Sequence, residues 1–227
     1  MRVLAIDCAL EACSAAVLNN LAGMIVASES RVMQRGHAEA VMPLIARVMD
    51  RAGLAFSELD RIAVTVGPGS FTGLRVGIAA ARGIALAAGK PAVGLSTLAG
   101  LAAPHIADND GTPVAAAIDA RHDCVYLQVF GPDGRTVLAP RLAPLAEAVQ
   151  AAIAGPARIV GSAAARVAEA WPVDEPPPTL VDQRRAPDIA WIARLGAAAA
   201  AGESPPKPLY LRAPDARPQE ASRLPRR

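Results

Sequence analysis

The chain reads as an α/β protein made of two copies of one lobe, each with the order β-β-β-α-β-α-β and the second copy degenerate. Three observations predict this. Ala5-Ile6-Asp7 recurs as Ala117-Ile118-Asp119, and each ends one short apolar run and precedes another. Apolar runs of strand length alternate with segments of helical period. The composition is 52% apolar but only 3% aromatic, which suits sheets covered tightly by helices.

In the first half, residues 2–7, 12–18 and 22–28 read as three strands joined closely enough to form an antiparallel meander. A helix follows from His37 to Ala52, with Val41, Leu44, Ile45 and Val48 at i, i+3, i+4 and i+7, and Gly53 ends it. Pro43 either moves the start of that helix to Met42 or kinks it. Residues 62–66 form a buried strand, 70–88 a helix stopped by Gly89, 92–95 a strand, and Thr97 to Ala103 a short helix capped by Ser96. This gives a first lobe over residues 1–103. Pro104 to Thr112 is the linker. The second lobe covers 113–204, with strands at 113–119, 124–130, 135–139 and 157–160 and helices near 144–154, 162–170 and 188–201. A proline-rich stretch at 172–178 stands where an intact copy would be regular, and 205–227 is an irregular Pro- and Arg-rich tail that either floats in solvent or touches RNA.

Several function classes fall away on composition. A length of 227 residues and a net charge of +2 fit a globular chain without the concentrated basic face of an autonomous nucleic-acid binder. No uninterrupted apolar run reaches the ~18 residues that span a bilayer, and the N-terminus meets Asp7 without a signal-type apolar stretch, which points to the cytoplasm. Cys8, Cys13 and Cys124 read as reduced, packed thiols, and His37, His105 and His122 have no metal-binding spacing.

The most distinctive stretch is Gly67-Pro68-Gly69-Ser70-Phe71-Thr72-Gly73, a glycine turn between a strand and a helix. Ser70 is the natural N-cap, accepting from the amide of Thr72 or Gly73. Two readings of the turn stand side by side. Free amides at a positive helix end suit an anion, so Gly69, Ser70 and Thr72 are candidate phosphate contacts together with Asp7. Alternatively, the glycines only permit a tight corner. The stretch is not a P-loop, because no Lys-Ser/Thr follows Gly73, and it is not a nucleophile elbow, because Pro68 precedes Ser70 by two. Downstream, Gly73, Gly77, Ala81 and Ala85 are four apart and form a stripe of small residues that would let another helix approach closely.

Two duplicated lobes, each with an aspartate closing its first strand, resemble the actin, sugar kinase and Hsp70 fold, built of two RNase H-like lobes. In that fold the carboxylate works with neighbouring hydroxyls and glycines on phosphates. Here Cys8-Ala9 follows Asp7 and Ala120-Arg121 follows Asp119, so a small-molecule kinase or ATPase is the lesser reading.

Gly67 through Leu74-Arg75-Val76-Gly77 resembles the signature of the bacterial TsaB (YeaZ) family. The supporting pieces are Ala5-Ile6-Asp7, His37-Ala38-Glu39, Met42-Pro43-Leu44-Ile45, Asp119-Ala120-Arg121 with Tyr126, and Pro208-Leu209-Tyr210-Leu211-Arg212. The resemblance implies a non-catalytic subunit that helps to make threonylcarbamoyladenosine in tRNA. It further implies a TsaD-like catalytic partner, a TsaE-like ATPase, tRNA met through the complex, and a homodimer when free. ATP and metal would belong to the partners. TsaD-like proteins hold a metal with two histidines four residues apart, and here His37 is followed at that spacing by Val41. The old glycoprotease name of the relatives makes a peptidase a further, weaker alternative. The interface implied by the resemblance lies on the helices at 37–52 and 70–88, at His37, Val41, Met42, Ile45 and Met49 and at Gly73, Gly77, Ile78 and Ala81.

Overall fold

The computed structural model describes residues 1–108, 110–153, 158–200 and 205–212. The first sheet contains β1 (Arg2–Asp7), β2 (Ala12–Asn19), β3 (Met24–Val32), β4 (Arg61–Gly67) and β5 (Ala92–Ser96), in the order β3-β2-β1-β4-β5. The second contains β6 (Val114–Asp119), β7 (Cys124–Phe130), β8 (Thr136–Pro144), β9 (Arg158–Val160) and β10 (Leu180–Asp182), in the order β10-β9-β6-β7-β8. The two orders are the same. In each sheet the first strand pairs antiparallel with the second and parallel with the fourth. This is the actin-like arrangement of two RNase H-like lobes.

The helices are α1 (His37–Ala52), α2 (Phe71–Ala88), α3 (Thr97–Ala107), α4 (Leu145–Ile153), α5 (Ala164–Glu169) and α6 (Ile189–Ala198). The inner strands β1, β2, β4 and β6 are apolar on both sides because both faces of each sheet are covered there. Leu4, Ile6, Val17, Ile62 and Val64 face α1 and α2, and the alternate residues Val3, Ala5, Ala16 and Ala63 face α6. On the second sheet Ala115, Ala117 and Leu127 face α4 and α5, whereas Val114, Ala116 and Ile118 face α3. The helix that follows the first lobe therefore covers the second sheet, and the helix that follows the second lobe covers the first. Lobe membership by packing departs from the sequence ranges at both helices.

Side chains pin the exchange. The Arg61 guanidinium donates to Gly196 O (2.9 Å) and to the carbonyls of Ala197 and Ala199, covering the open C-terminal end of α6. Arg158 donates to His105 O (2.9 Å) and Asp108 (2.8 Å) and pairs with Asp110, tying the end of α3 to β9. The two exchanged helices cross at Gly100, where a Cβ would run into Ile192.

Several expected boundaries change. The third strand runs to Val32, and β8 runs to Pro144 rather than stopping near 139. Helix α3 continues through Pro104 to Ala107, so the linker starts later. Burial of Leu98, Leu101 and Ala102 between the halves outweighs the local cost of ~3 kcal/mol for an internal proline. Helix α1 begins at His37 with Pro43 inside it. A tenth strand, Leu180–Asp182, follows the proline-rich stretch, so the second lobe keeps all five strands. What is reduced is length: β9 and β10 have 3 residues each, and α5 has 6 against 18 in α2. Residues 154 and 157, the helix end expected at 201, and the tail from 213 lie outside the described residues.

Gly196 lies flat on β4, and a Cβ there would overlap that of Ala63. Gly196→Ala is expected to lower stability by ~1–3 kcal/mol. Gly83, in open space on α2, should gain ~0.5–1 kcal/mol on becoming alanine. Urea midpoints of the two variants check both signs.

Candidate functional site

The C-terminal ends of β1 and β4 in one lobe and of β6 in the other meet at a cleft of about 760 Å³ between the lobes. Its first wall is the loop after β1 (Ala9, Leu10, Glu11), the approach to α1 (Gln34, Arg35) and the start of α2 (Gly69, Ser70, Phe71). Asp119, Ala120, Arg121, Tyr126 and Ser162 form the second wall, with Arg185 and Arg212 at the rim.

The glycine turn is built around the loop after β1. Ser70 N donates to Ala9 O (2.7 Å). A Cβ on Gly69 would strike Ala9 O, and one on Gly73 would strike Cys8 O. These glycines are therefore required by backbone contact, as the plainer reading of the motif holds. Ser70 caps α2 through Gly73 N (3.3 Å), and no histidine or aspartate bonds it among the described residues, so nothing activates it as a nucleophile. The segment 205–212 clasps the same corner. Leu209 N donates to Val66 O (2.7 Å), the Tyr210 ring lies 5.3 Å from Phe71, and Arg75 covers Phe71 and donates to Tyr210 Oη (3.0 Å). Arg212 then reaches the second wall at Ala120 O (3.1 Å).

Asp7 does not reach the cleft. Its exposure is 0%, and the backbone of Cys8 and Ala9 lies between it and the glycine turn. Oδ1 accepts from Thr65 Oγ1 (2.5 Å) and Ala9 N (3.1 Å), while Oδ2 has no partner. Burial pushes its carboxyl above the usual aspartate range, against the pull of those two hydrogen bonds. The expectation that Asp7 contacts an anion or nucleotide is corrected, because the sealed carboxyl is turned to Thr65 and braces β1 against β4. Gly69 and Ser70 do line the cleft, and Thr72 is exposed beside them. Asp119 lies on the second wall, but Arg166 holds its Oδ1 (3.0 Å) and bridges to Asp123 (2.7 Å).

The expected interface residues divide. Met42 is 47% exposed. Val41, Ile45, Met49, Ile78 and Ala81 are buried in the first lobe's own core, as are Gly73 and Gly77. Gly77 packs on Cys8 and Val64. The stripe of small residues therefore lets α2 approach its own sheet, and these positions are corrected from partner contacts to core. His37 is buried too, with Nε2 3.3 Å from Leu10 O. A different stripe faces outward. Ala79, Ala80, Gly83 and Ala87 of α2, with Met42 and Phe56, line an apolar hollow of about 510 Å³, and Leu86 beside it is 85% exposed. The spacing at 79, 80, 83 and 87 was visible in the sequence, but the 73-77-81-85 stripe is equally regular. Helix α2 is long and apolar enough to cross a membrane by length and composition, although one side is packed on the sheet and it carries Arg75 and Arg82.

These features define a class: an actin-like two-lobe protein in which the first strand-end carboxylate, Asp7, is buried and the second, Asp119, faces the cleft paired with Arg166. A family model described as TsaD, tRNA N6-adenosine threonylcarbamoyltransferase, matches residues 23–180. YeaZ from Pseudomonas aeruginosa has 30% identity and a TM-score of 0.75, with 92% of this chain and 99% of that one covered. The tRNA threonylcarbamoyladenosine biosynthesis protein TsaB of Escherichia coli K12 is 40% identical over 126 residues, which are 56% of this chain and 53% of that protein. An uncharacterized protein of Mycobacterium tuberculosis H37Rv, Rv3421c, is 33% identical over 219 residues, covering 95% and 94%. The chain belongs to the TsaB (YeaZ) family. It spans about half the length of the curated TsaB relatives it matches.

The state of Asp7 predicts a pH dependence. A carboxyl raised above its unfolded value of 3.8 contributes stability in full below that pH, and the contribution is lost as pH rises through the folded value. Asp7→Asn cannot ionise. Wild type should lose stability relative to Asp7→Asn as pH climbs from about 4, read as the gap between urea midpoints along a pH series.

Proposed function

We propose that the chain is a non-catalytic subunit of the cytoplasmic tRNA N6-threonylcarbamoyladenosine synthase. It docks onto and stabilises a TsaD-like subunit that transfers threonylcarbamoyl from its adenylate to a tRNA adenosine, and a TsaE-like ATPase acts on the assembled pair. ATP and metal are assigned to those partners. The reading draws on the names of the bacterial relatives. The observation that carries it is an apolar helix face left open on α1 and α2, in a protein whose first strand-end carboxylate is buried. Asp7 is sealed, and the exposed Asp119 is paired with Arg166 through Oδ1 (3.0 Å). On α1 and α2, Met42, Ala79, Ala80, Gly83, Leu86 and Ala87 are the side chains positioned to meet another protein, in place of the buried set. The same face suits a second copy of the chain when the partner is absent.

The direct test is reconstitution. Modified adenosine should form on tRNA when this chain is added to the TsaD-like subunit and ATPase, and should not form with this chain alone. Modification by the isolated chain would sink the reading. Docking has its own test. Gly83→Leu fills open space on the outer face, so it should leave thermal stability near wild type while abolishing co-purification with the partner. Gly77→Leu should instead unfold or strongly destabilise the chain, since its side chain would enter the contact with Cys8 and Val64.

A further inference from the structure

Of the four arginines lining the interlobe cleft, two are engaged within the protein. Arg185 pairs with Glu11 (3.1 Å), and Arg212 donates to Ala120 O (3.1 Å). Both acids in the cleft are also engaged, Glu11 by Arg185 and Asp119 by Arg166 (3.0 Å). The guanidinium groups of Arg35 and Arg121 have no partner among the described residues. Both residues are exposed, and each comes from a different wall. Arg121 is held in place by its backbone. It begins three successive residues with left-handed φ (62°, 51° and 56°), fixed by Asp119 Oδ1 accepting from Arg121 N (2.9 Å) and by Cys124 N donating to Arg121 O (3.1 Å).

We infer that this cleft binds the phosphodiester backbone of an RNA, with Arg35 and Arg121 each holding a phosphate. This rests on the reading of the chain as a subunit of a tRNA-modifying assembly. The charge pattern favours single phosphates over a magnesium-bound triphosphate. A magnesium nucleotide asks for an oxygen ligand that is not already committed, and the carboxylates here are sealed or ion-paired. Two separated guanidinium forks suit successive phosphates of a chain, each with one charge. Phe71 and Tyr126 also line the cleft, and the Phe71 ring is already packed between Arg75 and Tyr210. The start of α2 and the approach to α1 form one wall, so a partner seated on α1 and α2 shares those helices with the cleft. RNA held by that partner can then pass directly into the cleft.

The test uses the full chain assembled with its TsaD-like partner and labelled tRNA, with affinity measured over a series of potassium chloride concentrations. Arg35→Ala with Arg121→Asn, asparagine being chosen because it tolerates left-handed backbone, should weaken tRNA binding roughly tenfold and reduce the log–log salt slope by about 1.5. Co-purification of the complex should not change. The double variant Arg135→Ala, Arg141→Ala, which removes the same charge from β8 and the turn before it, outside the cleft, should bind like wild type. Unchanged affinity and slope in an intact Arg35/Arg121 complex would overturn the proposal and leave the subunit reading standing. Displacement of tRNA by magnesium ATP at matched ionic strength that occurs with wild type and is lost with Arg35→Ala, Arg121→Asn would overturn it in favour of a nucleotide cleft. Failure of the wild-type chains to assemble at all would take down the subunit reading, and the proposal with it.

Discussion

The exchange of α3 and α6 between the two halves is the constraint on which everything else depends. Each sheet is apolar on both faces, and its own lobe supplies helices for one face only. Without α6, the side of the first sheet bearing Val3, Ala5, Ala16, Leu18 and Ala63 would stand in water. Without α3, the same would be true of Val114, Ala116 and Ile118 on the second. Neither half closes its own core, so the lobes are mutually dependent. Their relative position is fixed where the two exchanged helices cross at Gly100.

That fixed position makes the cleft a defined surface. Its walls are loops at the carboxyl ends of β1, β4 and β6, where a parallel-centred sheet presents its connections. The clasp from residues 205–212 adds a second tie. It packs Tyr210 on Phe71 at the head of α2 and extends Arg212 to the opposite wall. Three chain segments distant in sequence thus converge at the glycine turn, which explains its crowding of small residues better than ligand binding alone does. Close approach of Ala9 O and Cys8 O leaves no room for a Cβ at Gly69 or Gly73.

Much of the fold was legible because its signals are local. The end of α1 followed from Gly53 and its buried face from apolar spacing, and the cap of α2 from Ser70. The echo of Ala5-Ile6-Asp7 in Ala117-Ile118-Asp119 exposed the duplication, and the structure gives both copies the same strand order. What sequence could not reveal was long-range. β10 has 3 residues after a proline-rich stretch, too short for any periodic signal. Nothing in Ile189–Ala198 says which sheet it covers, since an apolar stripe fits either. The same ambiguity misassigned α2. Its two stripes of small residues are offset by a few positions and are equally regular, and only contact with Cys8 and Val64 shows that the one through Gly77 faces inward. A low-bulk stripe reports close approach, and whether to a neighbouring protein or to the chain's own sheet is a tertiary fact.

The sealing of Asp7 and the character of the cleft are two sides of one arrangement. An ionised aspartate at the end of β1 would project negative charge toward the start of α2 and offset an arginine across the gap. Here the chain folds Cys8 and Ala9 over that carboxyl, and Thr65 and the Ala9 amide satisfy one oxygen. Burial raises its pKa and keeps it out of the cleft, so its part there is structural. The remaining acids are neutralised in place, Glu11 by Arg185 and Asp119 by Arg166. What faces the cleft is therefore a small excess of positive charge, despite a whole-chain balance of only +2. Walls of low dielectric on either side strengthen that excess relative to the same charges on an open surface. A chain too weakly basic to hold RNA by itself can still present a locally basic groove, provided that a partner supplies the rest of the binding surface.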